Sequence, residues 1–121
     1  MREVGIAVGI MLALLGISSV TLLPFDRAFM LGWGLALVGL AFGVPTGLVY
    51  HVRLYQALQP RGELPSGWIW RPTRYHDRLL PHERFGVLSW CYAGALGFFV
   101  IVVGFVVLGV ASATMVATLQ A

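Results

Sequence analysis

Long apolar runs alternate with short polar segments along the chain, and this pattern predicts membrane-spanning helices. Three runs contain no Asp, Glu, Lys or Arg: residues 4–25, 28–52 and 85–121, with lengths of 22, 25 and 37. About 20 apolar residues cross the hydrocarbon core of a bilayer as a helix. Each run is therefore long enough to span, and the predicted fold class is an all-α membrane protein with three transmembrane helices.

Prolines and charges place the helix boundaries. The predicted elements of this single membrane domain, 1–121, are a helix over 4–23, a helix over 28–55, an interfacial loop over 56–80 and a helix over 81–118. Pro24 disfavours helical geometry at the residue before it and ends the first helix. Pro45 lies inside the second helix, where we expect a kink. Pro81 suits the first position of the third helix.

Composition agrees with a membrane chain. Hydrophobic residues make up 59% of the sequence and charged residues 11%, well outside the soluble average. The first apolar run is longer than the core of a secretory signal peptide, so we expect it to remain as a helix. Cys91 is the only cysteine, which excludes an intrachain disulfide, and we expect it to serve as a small packing residue.

The arginines are distributed unevenly between the two sides of the predicted helices. One side carries seven, Arg2, Arg53, Arg61, Arg71, Arg74, Arg78 and Arg84, and the opposite turn carries only Arg27. Basic residues concentrate on the cytoplasmic side of membrane proteins. We therefore expect an integral protein of a bacterial inner membrane, with the N-terminus and the long loop cytoplasmic and the C-terminus outside.

Small residues recur every four positions within the predicted helices. The candidate packing positions are Gly5, Gly9, Gly39, Gly43, Gly47, Ala93, Gly97 and Gly104. Small residues on one face let helix backbones approach closely, which matters in lipid because apolar side chains gain little from packing on one another. The pattern predicts a tight three-helix bundle. It leaves open whether the ridge of the second helix faces its own chain or a partner.

Chemically active groups are sparse. No ionisable residue lies at mid-membrane depth, which disfavours an ion-coupled carrier. The candidate metal ligands are His51, His76, His82, Asp77 and Glu83, with His51 the one candidate for a haem ligand. None of the histidines has a second histidine at i, i+4 spacing, so the candidates are weak. We predict no enzymatic activity and no cofactor, and expect Asp77 and Glu83 to pair with nearby arginines.

The loop between the second and third helices combines aromatic rings with arginines. The predicted docking residues, for lipid or for a partner protein, are Trp68, Trp70, Arg71, Arg74, Tyr75, Arg78 and Arg84. Trp and Tyr rings settle at headgroup depth, and basic residues beside them attract lipid phosphates or an acidic protein surface. The expected partners are therefore membrane lipids and other transmembrane subunits or copies of the chain itself, and not nucleic acid.

The small size, the small polar mass and the helix faces lined by small residues favour a non-catalytic accessory or structural subunit of a larger membrane complex. Two alternatives remain open at this point. One is a homo-oligomer that forms a pore for small solutes, for which Ser18, Thr21, Thr46 and Ser112 provide only sparse polar lining. The other is a small membrane protein that holds a metal or cofactor through its histidines and carboxylates.

Overall fold

The computed structural model describes residues 1–121, and it is helical throughout without a strand. The three α-helices are α1 (Arg2–Val20), α2 (Phe25–Leu58) and α3 (Pro81–Gln120). Three short 3₁₀ helices, Gln59–Arg61, Trp68–Trp70 and Pro72–Arg78, lie between α2 and α3. Each α-helix is long and apolar enough to cross a membrane, which confirms the predicted all-α class with three candidate spans.

The helix boundaries differ from the predicted ones by a few residues. The α-helical geometry of α1 ends at Val20, and the amides of Leu22 and Leu23 each bond the carbonyl three residues back, which tightens the last turn before Pro24. Helix α2 starts directly after that proline and runs three residues beyond its predicted end. Helix α3 begins at Pro81 as predicted.

The Glu83 carboxylate, in the first turn of α3, accepts a hydrogen bond from the Leu80 amide at 3.0 Å. A glutamate at the third helical position that reaches back to the residue before the helix satisfies one of the amides left free at a helix start. The local sequence Leu80–Pro81 followed by Glu83 therefore fixes where α3 begins.

The chain forms two compact units, residues 1–38 with 100–121, and residues 39–99. In the first unit α2 and α3 run antiparallel and touch through backbone. A Cβ atom on Gly104 would lie 2.7 Å from both the Ala36 nitrogen and the Gly32 carbonyl oxygen. Ala36 is buried there, as is Ala111 on α3. This approach requires that position 104 carry no side chain.

Helix α1, which belongs to the first unit, has no buried residue. A Cβ atom built on Gly5, Gly9 or Gly16 would meet nothing within 4 Å. The expectation of a tight bundle of all three helices is therefore wrong for α1. The physical reason is that an apolar helix surrounded by lipid gains little by burying leucines and valines against its own chain.

The glycines of the ridge predicted on α2, at positions 39, 43 and 47, all lie in the second unit. A Cβ atom on Gly97 would collide with the Gly43 backbone, and one on Gly94 would lie 3.3 Å from the Gly47 Cα atom. Thr46 is buried between these positions and donates its hydroxyl hydrogen to the Phe42 carbonyl at 2.8 Å. The ridge predicted on α2 thus faces α3 of the same chain at Gly43 and Gly47.

A side-chain core lies beyond the glycine contacts in the second unit. Its buried members are Tyr50, Leu54, Leu58, Leu79 and Val87, with Ala57, Leu64, Trp68, Tyr75, Trp90 and Cys91 packed around them. Leu54 and Leu58 are fully buried. The core joins the last turns of α2, the first turns of α3 and the segment that connects them, and Cys91 packs on it as predicted.

Candidate docking surface

The segment between α2 and α3, residues 59–80 and hereafter the connecting segment, folds onto its own helices. Leu79 is 5% exposed and packs in the core with Leu58 and Val87. A connection of this length without long secondary structure needs such contacts to hold one conformation. Some of its polar side chains hold the segment on the helices, and others are exposed and free to contact lipid or another protein.

Arg61 ties the start of the connecting segment to the start of α3. Its guanidinium donates to the Glu83 carboxylate at 2.8 Å and to the Arg78 carbonyl at 2.9 Å, and it lies 3.6 Å from the Glu63 carboxylate. The predicted pairing of Glu83 with an arginine is therefore confirmed, and the partner is 22 residues away in sequence. The sequence pattern gave no sign that this particular arginine would be the partner.

A second tie joins the middle of the connecting segment to α2. The Tyr50 hydroxyl shares a hydrogen bond with Nε2 of His76. Partial burial lowers the pKa of His76 below its ordinary value, the positive charge of Arg84 lowers it further, and Asp77 partly opposes them. The neutral imidazole is therefore the form that suits this contact.

Ring contacts between Trp68 of the connecting segment and two residues of α2 make a third tie. The Trp68 ring centroid lies 5.9 Å from that of His51 and 6.1 Å from that of Tyr55. His51 is itself oriented because its Nδ1 donates to the Gly47 carbonyl at 2.8 Å. Trp68 is consequently occupied by contacts within the chain.

The seven predicted docking residues divide into two groups. Trp68, Tyr75 and Arg78 make internal contacts, since Arg78 donates to the Glu63 carbonyl and its guanidinium lies 5.0 Å from the Tyr75 ring centroid. The other four are exposed and form no ion pair: Trp70, Arg71, Arg74 and Arg84. Trp70 is 85% exposed. We call these four residues the exposed basic surface.

The candidate metal ligands do not converge. No group of three or more His, Cys, Asp or Glu side chains comes together in residues 1–121. His51 and His76 bond to Gly47 and Tyr50, respectively, while His82 is exposed. Asp77 forms no ion pair, so the expectation that it would pair with an arginine is wrong.

Sequence reasoning missed several contact residues. It did not identify Gly32, Ala36 and Gly94, although Gly32 and Ala36 show the same four-residue spacing as the ridge beyond them. Ala93, which was predicted, lies beside Gly94 and is partly buried. Tyr50 gave a weaker signal: it is the one tyrosine that continues the small-residue face of α2.

Comparison with known proteins found no match to a protein-family model, to a curated protein or to a solved structure. The fold itself defines the class: an all-helical chain with three helices compatible with an integral membrane protein. The site contains an internally tied connecting segment and an exposed basic surface.

Proposed function

We propose that this chain is a non-catalytic accessory or structural subunit of a larger membrane complex. The observation that carries the proposal is α1, a 19-residue apolar helix of which no residue is buried within the chain. Its glycines at positions 5, 9 and 16 lie on one face, and a Cβ atom added to any of them would meet nothing within 4 Å. A face without side chains lets another helix approach closely, and close approach is the main source of helix association in lipid.

The exposed basic surface supports the same role at the membrane boundary. Arg71, Arg74 and Arg84 have no carboxylate partner in the chain, and the Trp70 ring, next to Arg71 in sequence, is exposed. In the proposed orientation this surface faces the cytoplasm of a bacterial cell, because most arginines lie on this side. It would contact acidic groups of a neighbouring subunit or the anionic headgroups of the inner leaflet.

The direct test is the mass of the intact particle. The tagged protein is purified from its native membrane in a mild detergent and weighed by native mass spectrometry. Larger subunits at fixed stoichiometry are the expected result. A particle that is a whole multiple of 13.2 kDa would contradict the proposal and favour self-assembly.

A pair of α1 variants tests whether the glycine face of α1 binds a partner helix. Gly9→Leu adds bulk to the glycine face, and Ala7→Leu adds the same kind of bulk to the opposite face, since positions two apart lie about 200° apart around a helix. Both positions are exposed, so neither change should alter the thermal stability of the isolated chain. We expect Gly9→Leu to lose the partner subunits and Ala7→Leu to keep them. Equal retention by both would remove α1 as the contact.

Two of the four hydroxyl groups considered as pore lining are bonded within their own part of the chain. Thr46 donates to the Phe42 carbonyl at 2.8 Å, and Thr21 donates to the Ser18 carbonyl at 2.6 Å. Hydroxyls in membrane helices commonly bond in this way. Ion flux through liposomes that contain only this protein would establish that alternative, and vesicles without flux would exclude it.

A further inference from the structure

A small cleft opens between the last turns of α2 and the first turns of α3 in the second unit. Its volume is about 280 Å³, and its lining residues are Arg53, Gln56, Ala57, His82, Glu83, Gly86 and Val87. None of the contacts that hold the connecting segment in place uses Arg53, Gln56 or His82. None of the four residues of the exposed basic surface lines the cleft.

The charge pattern of the two helices indicates the level of the cleft relative to a bilayer. The 25 residues that precede Arg53 on α2 carry no charged side chain, and neither do the 36 residues that follow Arg84 on α3. A run of 25 helical residues is about 38 Å long, somewhat more than the roughly 30 Å of hydrocarbon. In a bilayer Arg53 therefore lies at the level of the lipid headgroups.

The electrostatic balance of the cleft favours an anion. Arg53 is exposed and has no carboxylate within ion-pair distance. The one carboxylate in the lining, Glu83, is already occupied by Arg61 at 2.8 Å and by the Leu80 amide. Gln56 and His82 add hydrogen-bond donors at the rim. The uncompensated charge is that of Arg53, whose planar guanidinium suits bidentate contact with phosphate.

The shape of the cleft suits a group that carries an apolar tail. Val87 is buried and Ala57 partly buried, so part of the wall is apolar. At Gly86 a Cβ atom would meet nothing within 4 Å, which leaves space for a ligand to approach the backbone of α3. A phospholipid presents this combination, with a phosphate at headgroup depth and acyl chains that continue along the helices.

We propose that this cleft binds the headgroup phosphate of an anionic phospholipid, with Arg53 as the charged contact and Gln56 and His82 as further donors. The site does not depend on the chain having a protein partner, so it stands or falls separately from the accessory role.

The test measures lipid retention by the purified full chain. Phosphatidylglycerol or phosphatidylcholine is added to the detergent-solubilised protein, and bound lipid is counted by native mass spectrometry. Arg53→Gln removes the charged contact, and Gly86→Leu fills the cleft without changing charge. Arg27→Gln is the matched control, because Arg27 is an exposed arginine of the same helix that forms no ion pair and lies outside both the cleft and the exposed basic surface. Thermal unfolding of each variant checks that the fold is kept.

We expect the wild-type chain and Arg27→Gln to retain phosphatidylglycerol in preference to phosphatidylcholine. Arg53→Gln should weaken retention about tenfold, the size of one hydrogen bond to a charged group, and Gly86→Leu should weaken it similarly. Equal losses in Arg53→Gln and Arg27→Gln would mean general surface attraction and would overturn the proposal. Displacement of the lipid by inorganic phosphate alone would show a site for free anions and would overturn it too, as would a wild-type chain that retains no lipid.

Discussion

The backbone contact at Gly104 gives a sharp prediction for the pairing of α2 with α3 in the first unit. In Gly104→Ala the new Cβ atom would lie 2.7 Å from the Ala36 nitrogen and the Gly32 oxygen, and 3.1 Å from the Ala36 Cα atom. Non-bonded heavy atoms prefer about 3.5–4.0 Å. The two backbones must therefore move apart by about 1 Å around one added methyl group.

The expected magnitude follows from that movement. Overpacking a well-fitted interface costs about 1–3 kcal/mol, and a contact with rigid backbone belongs at the upper end of this range. Alanine is favoured over glycine within a helix by up to about 1 kcal/mol. The net expectation for Gly104→Ala is a loss of about 2 kcal/mol in the free energy of unfolding.

The assay is reversible unfolding of the purified chain in mixed detergent micelles, titrated with a denaturing detergent and followed by tryptophan fluorescence. Gly109→Ala is the matched control, since it makes the same change on the same helix where a Cβ atom meets nothing within 4 Å. It should leave stability unchanged or raise it by up to about 1 kcal/mol. A Gly104→Ala chain as stable as the control would refute the close approach of α2 and α3 at this point.

Three further changes probe how the connecting segment is held. Leu58→Ala empties a fully buried position, so it should cost about 2–5 kcal/mol and speed proteolysis of the segment. Arg61→Gln breaks a partly exposed pair with Glu83 and should lower the free energy of unfolding only slightly, measured by the same detergent titration. Burial and the charge of Arg84 lower the pKa of His76 in the folded state, so the connecting segment should be most stable above about pH 6.5 and lose stability as the pH falls below that value. Hydrogen exchange of the segment should therefore be faster at pH 5 than at pH 8, after correction for the intrinsic exchange rate.

Matched controls separate these effects from general damage. Leu48→Ala truncates an exposed leucine on the same helix and should change stability little. Arg71→Gln removes an unpaired arginine, and a loss as large as that of Arg61→Gln would contradict the role given to the pair. Tyr50→Phe keeps the ring but removes the hydroxyl, so a pH dependence that survives unchanged in this variant would exclude the hydrogen bond to His76 as its origin.

The helical architecture could be predicted from the sequence because it depends on local properties, namely the length of each apolar run and the residues at its ends. Charge-free runs of sufficient length are visible residue by residue, and Pro81 with Glu83 marked the start of α3 directly. The ridge at Gly43 and Gly47 was also visible, since four-residue spacing alone places small residues on one helix face. The sequence did not show which helix this ridge would face, because that depends on which backbones fit together in three dimensions.

The candidate surface was only partly predictable for a similar reason. The sequence showed that the segment between α2 and α3 is rich in arginines and aromatic residues. It could not show that Trp68 and Arg78 make contacts within the chain while Trp70 and Arg74 are exposed. Arg61 pairs with a carboxylate 22 residues away, and no local pattern encodes such a distance. The absence of buried residues in α1 was equally hidden, because its composition resembles that of helices that do pack.

The contrast between α1 and the α2–α3 contacts has a consequence for how the protein is made. Helix α1 needs no intramolecular partner, so it can leave the insertion machinery as soon as it is synthesised. Helix α2 has a glycine face whose counterpart includes Gly97, more than 50 residues later than Gly43 in the order of synthesis. During translation that face remains uncovered until the ribosome has completed much of α3. Assembly of the second unit therefore has to wait for α3, whereas α1 can enter the bilayer and meet its surroundings first.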